Sequence, residues 1–84
     1  MHWERIDQRI DVRADFRAGE ATPRLFRLGR RLHRILRVNA RWSERQGRSL
    51  QHFFAVTTES RDTYQLCFDG EQLAWRADAV MYEG

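Results

Sequence analysis

The sequence has no lysine, one cysteine and one proline among its 84 residues. A single cysteine, Cys67, cannot form an intrachain disulfide, so a fold of this size must be stabilised by packing alone. The sequence also lacks an apolar run of the roughly 20 residues that a membrane-spanning helix needs, and it shows no signal-peptide pattern. These absences predict a cytoplasmic protein without a membrane segment, folded as one domain over residues 1–84.

All fifteen basic residues are arginine. The planar guanidinium group suits bidentate contacts with phosphate, although a GC-rich genome would also replace lysine codons by arginine codons throughout. Composition leaves both explanations of the missing lysine open. A codon bias does not explain why the arginines cluster.

The charge is concentrated in the middle of the chain. Residues 24–48 carry nine arginines and a single acid, Glu44, for a net charge of +8. Residues 1–23 have a net charge of −1 and residues 49–84 a net charge of −4. A strongly basic segment of this kind is the usual electrostatic footprint of a protein that binds an anionic partner, most often nucleic acid.

Alternating apolar and polar residues predict short strands over residues 10–16, 50–58, 64–68 and 73–77. Turn-forming residues predict loops over residues 18–23 and 43–49, and Asp69-Gly70 is a strong hairpin signal. The pattern indicates an all-β fold: a small bent sheet or SH3-like barrel of five or six antiparallel strands. A short helical turn is compatible with the pattern near either terminus.

The basic segment has two interpretations. As a helix over residues 24–38 it would place its leucines on one side and its arginines on the other, giving an α+β fold. As strands, residues 24–28 and 31–38 would be joined by a tight turn at Gly29. In the helical interpretation, Gly29 would lie in the middle of the helix and cost roughly 1 kcal/mol. Periodicity alone slightly favours the helix.

A series of apolar and turn residues runs through most of the chain. It consists of Ile10-Asp11-Val12-Arg13, Pro23-x-x-Phe26-x-Leu28-Gly29-Arg30-Arg31, Ile35-x-x-Val38-x-x-x-Trp42, Phe53-Phe54-x-Val56, Tyr64-x-Leu66-x-Phe68-Asp69 and Trp75-Arg76-x-x-x-Val80. The series resembles a family of short bacterial proteins classed as a domain of unknown function. The resemblance implies a Gly-Arg-Arg hairpin tip, and therefore strands rather than a helix in the basic segment.

The same resemblance implies a functional setting. Similar segments occur at the C-terminal end of polymerase-like proteins of bacterial mutagenic repair cassettes, which implies nucleic acid and DNA repair without catalytic residues. This chain has Leu28 and Leu32 where family members often carry Trp and Tyr. The resemblance therefore implies no stacking role for residues 28 and 32 of this chain.

The candidate nucleic-acid site is the basic hairpin and the tryptophan that follows it. Its guanidinium groups would contact phosphates, and Trp42 or Phe26 would stack on a base. The alternative is a solvated face whose arginines pair with the acids of residues 59–83 on neighbouring strands. The predicted site residues are Arg24, Arg27, Arg30, Arg31, Arg34, Arg37, Arg41 and Trp42.

The remaining polar residues predict neither a metal site nor catalysis. The histidines His2, His33 and His52 and Cys67 lack metal-ligand spacing, and the serines and acids form no recognisable nucleophile–base set. We expect a non-catalytic binding module without a cofactor, a monomer or weak dimer, whose partner is DNA or RNA. The alternative is a protein–protein adaptor that docks on an acidic protein or a repair polymerase component, or that adds a strand to a partner's sheet.

Overall fold

Six strands make up nearly the whole chain in a computed structural model, which describes residues 2–83. They are β1 (Glu4–Arg17), β2 (Glu20–Leu28), β3 (Arg31–Gln46), β4 (Ser49–Thr58), β5 (Thr63–Asp69) and β6 (Ala74–Met81). Each strand pairs antiparallel with the next, and β6 pairs with β1, so the sheet closes into a barrel. The predicted all-β fold is confirmed.

The helical alternative for residues 24–38 is wrong. This segment forms the β2–β3 hairpin, in which Leu25 pairs with Arg34 and Leu28 pairs with Arg31. Gly29 lies at the tip with φ of +62°, a left-handed conformation that glycine adopts without steric cost. No helical turn occurs near either end of the described chain, where β1 begins at Glu4 and β6 ends at Met81.

The two predicted loops are mostly strand. Only residues 18–19 and 47–48 form turns, and the flanking residues extend the β1–β2 and β3–β4 hairpins. The polar residues in these stretches lie on exposed parts of the hairpins, which explains why their composition is loop-like. The predicted turn at Asp69-Gly70 is confirmed, but it continues to Leu73, which has φ of +54° and was expected to lie in a strand.

Apolar side chains from five of the strands fill the barrel. Phe26 stacks on His33 with ring centroids 4.9 Å apart, and its ring also meets the edge of Tyr64 at 5.1 Å. Such aromatic contacts suit a small chain because each ring buries a large area. The buried cluster consists of Ile10, Phe26, Phe54, Val56, Tyr64, Leu66, Ala77 and Val80.

The β2 and β3 strands separate along part of their length. Their ladder runs only from the Leu25–Arg34 pair to the Leu28–Arg31 pair, so residues 20–24 and 35–46 do not pair with each other. Pro23 instead lies opposite Ala14 of β1, next to a register shift in the β1–β2 ladder. The register of β3 on β4 shifts after Ile35 and again after Val38, and such bulges bend a strand. The result is a cleft between the start of β2 and the second half of β3.

We expect the Leu66→Ala substitution to lower the free energy of unfolding by about 2–5 kcal/mol, because Leu66 is fully buried and its removal leaves a cavity. The matched control is Leu73→Ala, since Leu73 is 76% exposed, and its effect should stay within about 0.5 kcal/mol. Urea denaturation of both variants measures the difference. Equal losses for the two variants would contradict the packing described here.

Candidate nucleic-acid interface

All eight predicted site residues are exposed on the barrel. They do not form a compact patch: Arg30 and Arg31 lie at the β2–β3 tip, whereas Arg41 lies ten residues further along β3, about 33 Å at the usual rise of a strand. The predicted arginines therefore form an elongated basic surface that spreads along the β2–β3 hairpin and the rest of β3. They do not all share a face, since Arg37 and Arg41 pair with Thr57 and Phe54, which are three residues apart on β4. This arginine surface consists of Arg24, Arg27, Arg30, Arg31, Arg34, Arg37 and Arg41.

Three residues of the arginine surface form ion pairs. Arg24 Nε lies 2.8 Å from Asp15, Arg34 Nε lies 3.4 Å from Glu59, and Arg41 Nη1 lies 3.5 Å from Glu20. These side chains are largely exposed, so each pair contributes no more than about 1 kcal/mol. Among the described residues, no ion pair is formed by Arg27, Arg30, Arg31 or Arg37.

Most acids of residues 59–83 are held by other groups. Asp78 pairs with Arg76 at 2.7 Å, and Asp69 accepts hydrogen bonds from the backbone N–H groups of the β5–β6 turn. Asp62 accepts hydrogen bonds from Ser60 and from the backbone of Glu83. Only the Arg34–Glu59 pair joins these acids to the arginine surface. Direct neutralisation of the basic segment by the C-terminal acids therefore occurs at one position.

Arg41 reaches across the cleft between β2 and β3. Its Nη1 donates a hydrogen bond of 2.9 Å to the backbone oxygen of Ala21, which has no β3 partner in the ladder. The guanidinium carbon lies 5.6 Å from the centre of the Phe54 ring, within the range of a cation–π contact. This arginine thus holds the two sides of the cleft together.

Trp42 lies on the opposite face of β3 from Arg41, as expected for successive residues in a strand. Its indole stacks on Phe53 with centroids 5.4 Å apart and an angle of 12°. Its Nε1 donates to Glu44 at 3.3 Å, and the residue is 37% exposed. Trp42 is thus an exposed aromatic surface supported from one side, as the site prediction requires.

The cleft contains residues that the sequence did not identify as a site. It has a volume of about 300 Å³, and its lining includes Phe16, Arg41, Ser43, His52, Phe54 and Phe68. Phe16 is 67% exposed and meets Phe68 edge-on, with centroids 6.5 Å apart. The alternating pattern of residues 10–16 predicted that Phe16 lies in a strand. This local pattern gave no information on which residues of other strands lie next to Phe16.

Ser43 and His52 face each other across the β3–β4 pair. Ser43 Oγ and His52 Nδ1 are 3.1 Å apart, which is the distance between a nucleophile and its base in some hydrolases. No carboxylate among the described residues hydrogen-bonds the His52 ring, so the orienting third group of a triad is missing there. Nor do the described residues contain a cluster of three or more metal-ligating side chains.

Burial shifts two pKa values near the Gly29 end of the barrel. Desolvation beside Phe26 lowers the pKa of His33 below 6.5, with a further lowering by the Arg31 charge and an opposing effect of Asp62. Desolvation likewise raises the pKa of Tyr64 above 10.0. Both shifts favour the neutral forms of these side chains.

Three further pKa values are shifted around β5 and β6. Burial raises the pKa of the Cys67 thiol to about 11, so this cysteine is not a nucleophile at neutral pH. Hydrogen bonds from Gln51 and from the turn N–H groups lower the pKa of Asp69. The hydrogen bond to Asp78 raises the pKa of Arg76. The lowered pKa of Asp69 and the raised pKa of Arg76 both favour the charged forms of these side chains.

Comparisons with protein-family models, curated proteins and solved structures each found no match. The resemblance inferred from the sequence motifs therefore stays a prediction. The described residues contain no helix of the length and apolar character needed to cross a membrane.

We expect acid to destabilise the protein partly through His33. Because the folded state lowers the pKa of His33 below the unfolded value of 6.5, the unfolded state binds the proton more readily, and stability falls as the pH drops below about 6.5. The His33→Phe variant keeps a ring against Phe26 and removes this proton. Urea denaturation between about pH 7 and about pH 5 should show a smaller loss of stability for the variant than for the wild type. Parallel curves would contradict this role.

Proposed function

We propose that this protein is a non-catalytic nucleic-acid-binding module that contacts phosphates through its arginine surface, in a bacterial DNA-repair setting. The observation that carries the proposal is that four arginines of this surface, Arg27, Arg30, Arg31 and Arg37, form no ion pair among the described residues. Only the Arg34–Glu59 pair links the arginine surface to the acids of residues 59–83. The repair setting rests on the family resemblance alone.

The arrangement of the guanidinium groups supports phosphate binding. Arg27, Arg30 and Arg31 are exposed at and beside the hairpin tip and pair with no described acid. Each guanidinium has five N–H donors in a planar fork, which matches the oxygens of a phosphate. An elongated set of such groups suits a linear polyanion better than a small anion. Contacts of this kind bind phosphates and do not distinguish one base sequence from another.

We expect the Arg27→Gln and Arg31→Gln substitutions to weaken DNA binding at low salt and to flatten its salt dependence. Each lost phosphate contact should reduce the slope of log K against log[salt] by about 0.9 on duplex DNA or about 0.7 on a single strand. Fluorescence anisotropy between about 50 mM and about 200 mM salt measures both effects. Arg5→Gln is the matched control, because Arg5 lies beside Ala79 on the β1–β6 side, and it should bind like the wild type.

The proposal fails if the wild-type protein binds neither single-stranded nor duplex DNA or RNA at the lower salt concentration. It also fails if Arg5→Gln weakens binding as much as the other two substitutions. That second result would mean that overall charge, rather than the arginine surface, determines the interaction.

A second candidate function is supported by leucines beside the arginine surface. Leu32 is 59% exposed and Leu36 is 61% exposed, and Leu32 pairs with Arg27 across the β2–β3 hairpin. Apolar side chains among unpaired cations fit an acidic protein with apolar residues at its surface. Residues 20–24 and 35–46 do not pair with each other, so on that side they leave backbone groups for an added strand. An adaptor for an acidic protein, such as a repair polymerase component, would use these features.

The adaptor function predicts that a Leu32→Ser, Leu36→Ser variant loses a protein partner that the wild type captures, while DNA affinity is unchanged. Leu73→Ser is the control, since Leu73 is an even more exposed leucine, at 76%, but lies in the β5–β6 turn. Quantitative capture from a bacterial extract at two salt concentrations measures the loss. Equal capture by all three proteins would exclude this surface as the docking site.

A further inference from the structure

We propose that the cleft between β2 and β3 binds an unpaired nucleobase, so that the preferred ligand is single-stranded nucleic acid. This inference rests on the proposed function, because the arginine surface would bring the strand to the cleft. It adds a base-binding site to a surface that otherwise contacts only phosphates. The site is formed by Phe16, Arg41, Ser43, His52 and Phe68.

The cleft has the size and lining of a small ligand site. Its volume of about 300 Å³ lies at the lower end of the range for such sites, which favours one planar ring over a larger ligand. Aromatic rings line it from β1, β3, β4 and β5, and polar or charged groups come from β2, β3 and β4, including Glu20, which pairs with Arg41. A mainly aromatic lining with a few polar groups is the composition that a heterocyclic base requires.

Phe16 provides the stacking surface. The residue is 67% exposed, and the edge-on contact with Phe68 at 6.5 Å is its one aromatic contact among the described residues. An aromatic side chain left in water on a rigid hairpin gains free energy when a flat apolar surface covers it. Stacking of a base against Phe16 supplies that surface without requiring a particular base.

The polar groups of the cleft suit the edge and the backbone of a nucleotide. The Ser43–His52 pair places a hydroxyl and an imidazole 3.1 Å apart on the cleft wall, and both groups can donate or accept a hydrogen bond. In the described residues the contacts of Arg41 with Ala21 and Glu20 use only its Nη1. Its Nε and Nη2 therefore remain for the phosphate that follows the base.

Arg41 connects the cleft to the arginine surface. Arg37 and Arg41 lie on opposite faces of the sheet, because their β4 partners Thr57 and Phe54 are three residues apart. A bound strand would therefore pass from Arg37 over the edge of β3 that β2 leaves uncovered, and reach the cleft at Arg41. A base can enter only when it is unstacked and unpaired, which costs little in a single strand and several kcal/mol in a duplex. The geometry thus favours single strands over duplexes, whereas the arginine surface alone does not distinguish them.

The test compares three fluorescent ligands of about 12 nucleotides, a length within the range that small barrels cover. They are oligothymidylate, a strand of abasic sites with the same number of phosphates, and a duplex. At low salt the wild-type protein should bind oligothymidylate at least about fivefold more tightly than the abasic strand, the effect of one base stack. The duplex should follow the abasic strand.

Phe16→Ala should remove this preference by weakening oligothymidylate binding at least about fivefold, with abasic binding unchanged. Phe16→Tyr, which keeps the ring, should retain the preference. The matched control is Trp3→Ala, which removes another exposed aromatic residue, just before β1 and away from the cleft. Thermal denaturation verifies that each variant folds, as expected for exposed positions.

The outcomes separate this inference from the proposed function. Equal wild-type affinity for oligothymidylate and the abasic strand, with weakened binding in the arginine variants, would overturn the base site and leave the arginine surface in place. The same conclusion follows if Phe16→Ala retains the preference for bases. No binding of any ligand at low salt would overturn both proposals.

Discussion

The separation of β2 from β3 determines most of what distinguishes this barrel. Four residue pairs join the two strands, and beyond them β2 continues beside β1, where Pro23 lies opposite Ala14. The β3 strand then follows β4 instead of β2, with two register shifts on the way. If β2 and β3 paired along their whole length, the barrel would have no cleft at this position. The Ala21 carbonyl would then bond to β3 and would not be available to Arg41. Because of the same separation, residues 35–46 of β3 have no β2 pairing partner, and the arginines among them are exposed.

The charge distribution follows from the size of the molecule. A barrel of this length has room for one small apolar cluster, so charged side chains must lie outside it. The acids of residues 59–83 are held mainly by turns and by Arg76, which prevents them from reaching the arginine surface. A basic surface with four arginines outside ion pairs among the described residues, beside an aromatic cleft, resembles the combination that proteins use to bind single strands without sequence preference.

Local sequence patterns predicted the strands outside residues 24–38 and the exposure of the arginines. The turn at Gly29 was implied by the family resemblance, since periodicity alone favoured a helix there. Alternation of apolar residues is a local signal, and long arginine side chains are rarely buried. The cleft was not predictable in this way, because the contacts of Phe16 with Phe68 and of Ser43 with His52 depend on register between strands. Residues 43–46 were assigned to a loop for their polarity, although β3 continues through them on an exposed hairpin. Tertiary pairing overrides local composition there.

An amide NMR titration of the labelled protein with a short single-stranded DNA, at low and near-physiological salt, tests the central claim most directly. The account predicts shifts in two places: along the arginine surface from Arg27 to Arg41, and around Phe16, Ser43 and His52 in the cleft. Both sets should weaken with salt, as expected for phosphate contacts. Shifts scattered over the barrel, or confined to β5 and β6, would contradict the account.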